Sequence, residues 1–133
     1  MKRISLAVIT MMLLIAGCVK ETAGPLEGKW QLTQVEVNGN TVSVDTVFYN
    51  FQNTLFMLQV YHTPESRYQH RYGFSAVEKD SVHLELNSHV GNVENFLPLT
   101  DWTDARRSFA IIETSFRKLV LHSEGKRYTF RKY

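Results

Sequence analysis

From Gly28 onward the chain is divided into short runs rich in Val, Ile, Leu, Phe, Tyr and Thr, separated by turn residues, and no apolar stripe keeps a helical period for any length. Runs with a two-residue period joined by short turns make sandwiches or barrels. The runs cover residues 28–37, 41–51, 54–61, 68–77, 82–86, 108–115, 118–123 and 127–133. Asn38-Gly39, Glu78-Lys79-Asp80-Ser81 and Glu124-Gly125-Lys126 carry the turn chemistry of hairpins, and Pro64 marks a loop at 62–67. In the first run Trp30, Leu32 and Gln34 alternate before Val35 and Val37 take over the phase, which predicts a bulge. The third run is apolar on both faces, so it is either central or covered by something besides its own core. Residues 87–104 form the longest irregular piece, with Gly91, Pro98 and Trp102, and are expected to hold at most a short strand near 93–97. Joined by hairpins, these runs predict an all-β, antiparallel up-and-down barrel of about eight strands with its first and last strands adjacent.

The N-terminus has a different character. Lys2-Arg3 precedes an apolar stretch at 4–15 and the small residues Ala16-Gly17, the layout of a secretory signal. The apolar stretch is shorter than the roughly 20 residues of a comfortable membrane span. A retained anchor helix is the alternative, although such a helix has no need of small residues before the cut. Cys18 is the only cysteine, which excludes an internal disulfide, thiol catalysis and cysteine-ligated metal from a domain starting beyond it. The sequence thus divides into a leader at 1–17, a tether at 18–25 and a barrel domain at 26–133. The full 133 residues less the 17 of the leader leave 116, enough for one core without covalent staples.

Leu14-Ile15-Ala16-Gly17-Cys18 resembles the lipobox of bacterial lipoproteins. The resemblance implies a lipoprotein: diacylglycerol on the Cys18 sulfur, cleavage before Cys18, and palmitate or a similar acyl chain on the new amine. Two or more chains give stable anchoring where one does not. Because Val19 rather than an aspartate follows the cysteine, resemblance to the general sorting pattern implies the outer membrane. Val19-Lys20-Glu21-Thr22 carries one acid, too few for the acidic run of surface-exported lipoproteins, so a periplasm-facing position is expected over the cell surface.

Gly28-Lys29-Trp30 resembles the Gly-x-Trp opening of the lipocalin superfamily, and the segments 118–121 and 128–132 are similar to the last strands of small lipocalin-like lipoproteins. The resemblance implies that Trp30 lies across the closed end of the barrel against an arginine from the last strand, with Arg131 the first candidate and Arg127 the second. Thr100-Asp101-Trp102 is similar to the Thr-Asp-Tyr segment of lipocalins but is spaced differently, so no role is transferred to it.

The net charge of +2 comes from Lys2 and Arg3; the remainder balances 13 Lys+Arg against 13 Asp+Glu, and this neutrality argues against a nucleic-acid partner. His62, His70, His83, His89 and His122 lack zinc-ligand spacing, and no metal or other cofactor is expected. Glu113 shares a face with Phe109 and Ile111, so it points either into the barrel or to a solvated mouth. The aromatic face Tyr68, His70, Tyr72, Phe74, with Trp102 from the long loop, is the candidate ligand lining; the same residues equally suit a packed core. The leading expectation is a membrane-anchored binder of a small apolar or amphipathic ligand. The alternative is a structural or protein-interaction lipoprotein whose barrel is packed shut, and an enzyme acting on a lipid-like substrate comes third. A cavity of ~300 Å³ favours the first, and a filled interior with an exposed apolar patch the second.

Overall fold

The structure, a computed structural model, describes residues 25–133. The leader at 1–17, Cys18 and most of the tether lie outside the described residues. Among the described residues nine strands form one antiparallel sheet: β1 (Gly28–Val37), β2 (Asn40–Ser43), β3 (Val47–Gln52), β4 (Leu55–His62), β5 (Arg67–Glu78), β6 (Ser81–Leu86), β7 (Arg106–Thr114), β8 (Lys118–Ser123) and β9 (Lys126–Lys132). The strands from β3 to β9 follow in chain order, and β9 returns to β1, which closes the barrel. β2 and β3 both pair with β1, β2 with its second half and β3 with its first. They act as one broken strand, giving the closed eight-stranded lipocalin-like barrel. The break falls at 44–46, where the Gln31 side-chain amide donates to the Asp45 carbonyl at 3.1 Å.

Local chemistry explains the turns. Asn38-Gly39 and Glu124-Gly125 carry paired positive φ angles of 52° and 80°, and 54° and 75°. This is the type I′ geometry whose twist matches the flanking strands. The phase change in β1 is a bulge: its register with β9 shifts between Leu32 and Gln34. The bulge lets Trp30 and Leu32 face the core from one half of the strand and Val35 and Val37 from the other.

The base of the barrel is densely filled. Trp30, Phe56, Phe109, Phe130, Leu119 and Leu121 are at most 1% exposed. The Trp30 indole donates to the Leu26 carbonyl at 2.8 Å, and the Lys132 ammonium lies 4.5 Å from its ring centroid. Lys132, and not the expected Arg131, occupies this position, and strand register is the reason. Lys132 stands opposite Trp30 and Arg131 opposite Gln31. A one-residue step along a strand moves a side chain to the other face, so Arg131 points outward and donates to Gln31 Oε1 at 2.8 Å. Arg127, the second candidate, is also exposed.

Residues 87–105 close part of the opposite end. In place of the expected strand near 93–97 they form a short helix, α1 (Val93–Phe96), followed by a 3₁₀ turn over Leu97–Leu99. The Asn92 side chain caps α1 by accepting from the Asn95 amide at 3.1 Å. Val93, Phe96 and Trp102 are buried, and the Arg71 guanidinium lies 4.9 Å from the Phe96 ring.

Candidate functional site

Beside this plug the barrel mouth remains open, with a cavity of about 300 Å³. β1 contributes Leu32, Val35 and Val37; Val42, Val44, Val47 and Tyr49 come from the broken strand, and Leu58 and Val60 from β4. Leu99, Thr100, Asp101 and Trp102 form the side supplied by the plug, while Lys126 and Tyr128 enter from β9. The wall is therefore aliphatic and the polar groups are concentrated on one side, the composition of small-molecule sites. Val42 is 63% exposed at the rim.

Asp101 organises the polar side. It accepts from Arg107 at 2.9 Å, from Lys126 at 3.4 Å and from the Tyr128 hydroxyl. Arg107 also pairs with Glu124 at 3.3 Å and donates to Ser123 Oγ at 3.4 Å and to the Tyr128 hydroxyl. Its side chain is only 3% exposed and lies 4.7 Å from the Phe109 ring centroid and 5.1 Å from that of Tyr128. A planar guanidinium suits this place because its edge meets carboxylates while its faces meet aromatic rings. The Tyr49 hydroxyl accepts from the Trp102 indole at 3.0 Å, which fixes the indole against the cavity floor.

Burial pushes the Asp101 carboxyl up, but the Tyr128 hydroxyl and the Arg107 and Lys126 charges outweigh it and hold the group below its ordinary range. Burial alone lowers Arg107, and the Asp101 carboxylate and neighbouring phenols reverse that. Desolvation drives the Tyr49 and Tyr128 phenols far above their ordinary value, aided at Tyr128 by the Asp101 hydrogen bond. A lowered folded-state carboxyl pKa adds stability above the unfolded value near ~3.9 and loses it as pH falls further. Raised phenol values add stability that fades as pH rises above ~10. Asp101→Asn is therefore expected to flatten the acid side of the stability profile below about pH 4. Thermal unfolding from pH 3 to pH 7 checks this; an unchanged acid limb would exclude Asp101 as its source.

Among the residues singled out from sequence, Trp102 lines this cavity and Trp30 seals the other end. Tyr68, His70, Tyr72 and Phe74 are on the outer wall, exposed to solvent, and do not line the interior. The inward positions of β5 are Gln69, Arg71, Gly73 and Ser75. Two features of the fold impose this phase. A Cβ at Gly73 would fall 2.0 Å from the Glu85 carbonyl oxygen, so β5 and β6 approach too closely there for a larger residue. The space facing Arg71 is already occupied by Phe96. Glu113 also faces outward, paired with Lys118 at 3.6 Å, because the β7–β8 register shifts between Ile111 and Glu113.

The cluster that sequence reasoning missed is Asp101, Arg107, Lys126 and Tyr128. Its signals were the Thr100-Asp101-Trp102 segment and the place of Arg107 in the Phe109 alternation. On the outer wall, His83 Nδ1 is 2.7 Å from Ser108 Oγ and His83 Nε2 is 3.5 Å from Glu78. These three groups are exposed on the outer face of the sheet, where β5, β6 and β7 run side by side.

A family profile described as a lipocalin-like domain matches residues 12–133. The chain belongs to that family. Among solved structures it is similar to a lipocalin-like protein from Bacteroides uniformis ATCC 8492, with a TM-score of 0.74 and 29% identity over 83% of this chain and 100% of that one. It is also similar to an uncharacterized protein from Bacteroides eggerthii DSM 20697, with a TM-score of 0.69 and 28% identity over 81% of this chain and 99% of that one. No curated protein matches the chain.

Proposed function

We propose that this protein is a lipid-anchored envelope binder that takes a small apolar or amphipathic molecule into its barrel mouth. The observation carrying this reading is the cavity of about 300 Å³, aliphatic on most sides and bordered by the Asp101–Lys126–Tyr128 group. An aliphatic wall left open to water is unfavourable by about 25 cal/mol per Å², and an apolar guest relieves that cost. The densely packed base limits the guest to the upper part of the barrel, so a small ring system or a short acyl segment fits better than a long chain. Native mass spectrometry of the purified protein tests the reading through any small molecule that co-purifies.

The anchor is the second element of the proposal. The lipobox ending at Cys18 supports attachment to the outer membrane, facing the periplasm. Cys18→Ser is expected to abolish incorporation of labelled palmitate and partitioning into detergent; a variant that retains both would overturn the anchor. One observation favours the alternative of a protein-interaction lipoprotein: Leu55, Tyr68, Tyr72 and Phe74 are all about half exposed on neighbouring strands. That stripe suits a partner surface, and loss of co-purifying protein on Tyr72→Ser with Phe74→Ser distinguishes this reading from ligand binding in the mouth.

A further inference from the structure

Phe116 is 84% exposed, the highest value among the large hydrophobic residues described. It sits in the turn joining β7 and β8, at the closed end of the barrel. Two contacts tie that turn to the ends of the described chain. Thr114 Oγ1 donates to the Pro25 carbonyl at 3.2 Å, and the Lys132 amide donates to the Arg117 carbonyl at 3.0 Å. The point where the chain leaves toward Cys18 and the exposed phenylalanine are therefore side by side.

The surroundings are basic. Arg117 and Lys118 follow Phe116 directly, and Arg131 stands opposite Lys118 in the β8–β9 register, with all three exposed. Lys29, at the start of β1, lies 4.9 Å from the ring of Tyr133, itself 69% exposed. The nearby acids are Glu113, which pairs with Lys118, and Glu27, whose carboxylate accepts from the Asn53 amide, against the five cations Lys29, Arg117, Lys118, Arg131 and Lys132. The β5–β6 turn at the same end carries Glu78, Lys79 and Asp80, a net acid, so the positive charge of this end is weighted toward β8 and β9.

We infer that this rim, with Phe116 at its tip, docks onto the anionic bilayer leaflet that holds the Cys18 lipid. The inference rests on the anchor reading. Seven residue steps separate Cys18 from Pro25, so the chain between them spans about 25 Å at most. An anchor on Cys18 keeps the closed end within that distance of the headgroups. An aromatic ring flanked by cations is suited to the interface, the ring entering the acyl boundary and the cations meeting lipid phosphates. The one-sided charge tilts the barrel toward β8 and β9 and away from the acidic β5–β6 turn. Docked this way, the mouth opens to the aqueous side, and ligand exchange runs through water or a partner instead of directly through the bilayer.

The test uses the full chain, processed in its host and reconstituted into vesicles of phosphatidylethanolamine and phosphatidylglycerol. Phe116→Trp places a reporter at the tip, and intact mass on the same sample reads the lipid on Cys18. With brominated acyl chains in the vesicles, the added indole is expected to lose about half its emission, while the parent, whose Trp30 and Trp102 are buried, changes little. Combining Phe116→Trp with Arg117→Glu and Lys118→Glu is expected to remove most of that quenching. A correct lipid mass without bromolipid quenching overturns the docking and leaves the anchor standing. A missing lipid mass overturns both. Shielding from aqueous iodide without bromolipid quenching indicates contact with another copy of the chain and also overturns the docking.

Discussion

Replacing Arg107 with alanine is expected to destabilise the domain by about 2–4 kcal/mol, through the loss of charge-assisted hydrogen bonds and of the packing of a buried guanidinium whose carboxylate partners are partly exposed. The guanidinium is 3% exposed and serves Asp101, Glu124, Ser123 and Tyr128 together. Without it, Asp101 keeps Tyr128 and Lys126, while Ser123 loses a donor and three aromatic rings lose a cation above them. Lysine is a poor substitute because a single ammonium cannot meet both carboxylates and the phenol from one position. Urea unfolding should show a lower midpoint at unchanged slope. A cost below about 1 kcal/mol, the value of a surface pair, would mean that water replaces the guanidinium freely and that the cluster does not organise the mouth.

Trp30→Ala is expected to cost a similar amount, about 3–5 kcal/mol, through a different term. Its ring is 1% exposed, holds the Leu26 carbonyl and carries the Lys132 ammonium on one face. Truncation leaves a cavity at the base and a lysine with nothing to cover. Trp30→Phe keeps most of the buried area and gives up the indole hydrogen bond, so it should cost about 1 kcal/mol. Chemical denaturation of the two variants separates them; equal losses would show that the hydrogen bond to Leu26, and not ring volume, holds the base together.

Local signals in the sequence matched the fold well. The two-residue period marked the strands, Asn38-Gly39 and Glu124-Gly125-Lys126 marked hairpin turns, and the phase change after Leu32 marked a bulge. Each of these depends on neighbours only a few residues away. The errors arose where a distant segment decides. Aromatic residues on β5 are the better core candidates by composition, yet Phe96 from the plug and the close approach at Gly73 reserve the inner face for Gln69, Arg71, Gly73 and Ser75. The choice between Arg131 and Lys132 turned on a single step of register, which two adjacent cations cannot reveal by chemistry alone. Glu113 lost its apparent phase at the irregularity after Ile111. The site itself was half legible: Trp102 was visible as a loop aromatic needing cover, but its contact with Tyr49 depends on partners 53 residues apart in the chain.

Ligand entry at the mouth can be read directly from Trp102. Protein carrying Trp30→Phe, so that Trp102 is the remaining indole, should be titrated with a panel of short-chain fatty acids and small ring compounds bearing one polar group while Trp102 emission is recorded. Trp102 lines the cavity and is hydrogen-bonded to Tyr49, so a guest there must change its surroundings. A saturable change is expected with at least one amphipathic compound, and a loss of about tenfold in affinity, worth roughly 1.4 kcal/mol, when Val35→Phe narrows the cavity. Trp102 emission that stays constant across the panel, together with protein that purifies free of any small molecule, would contradict ligand binding in the mouth.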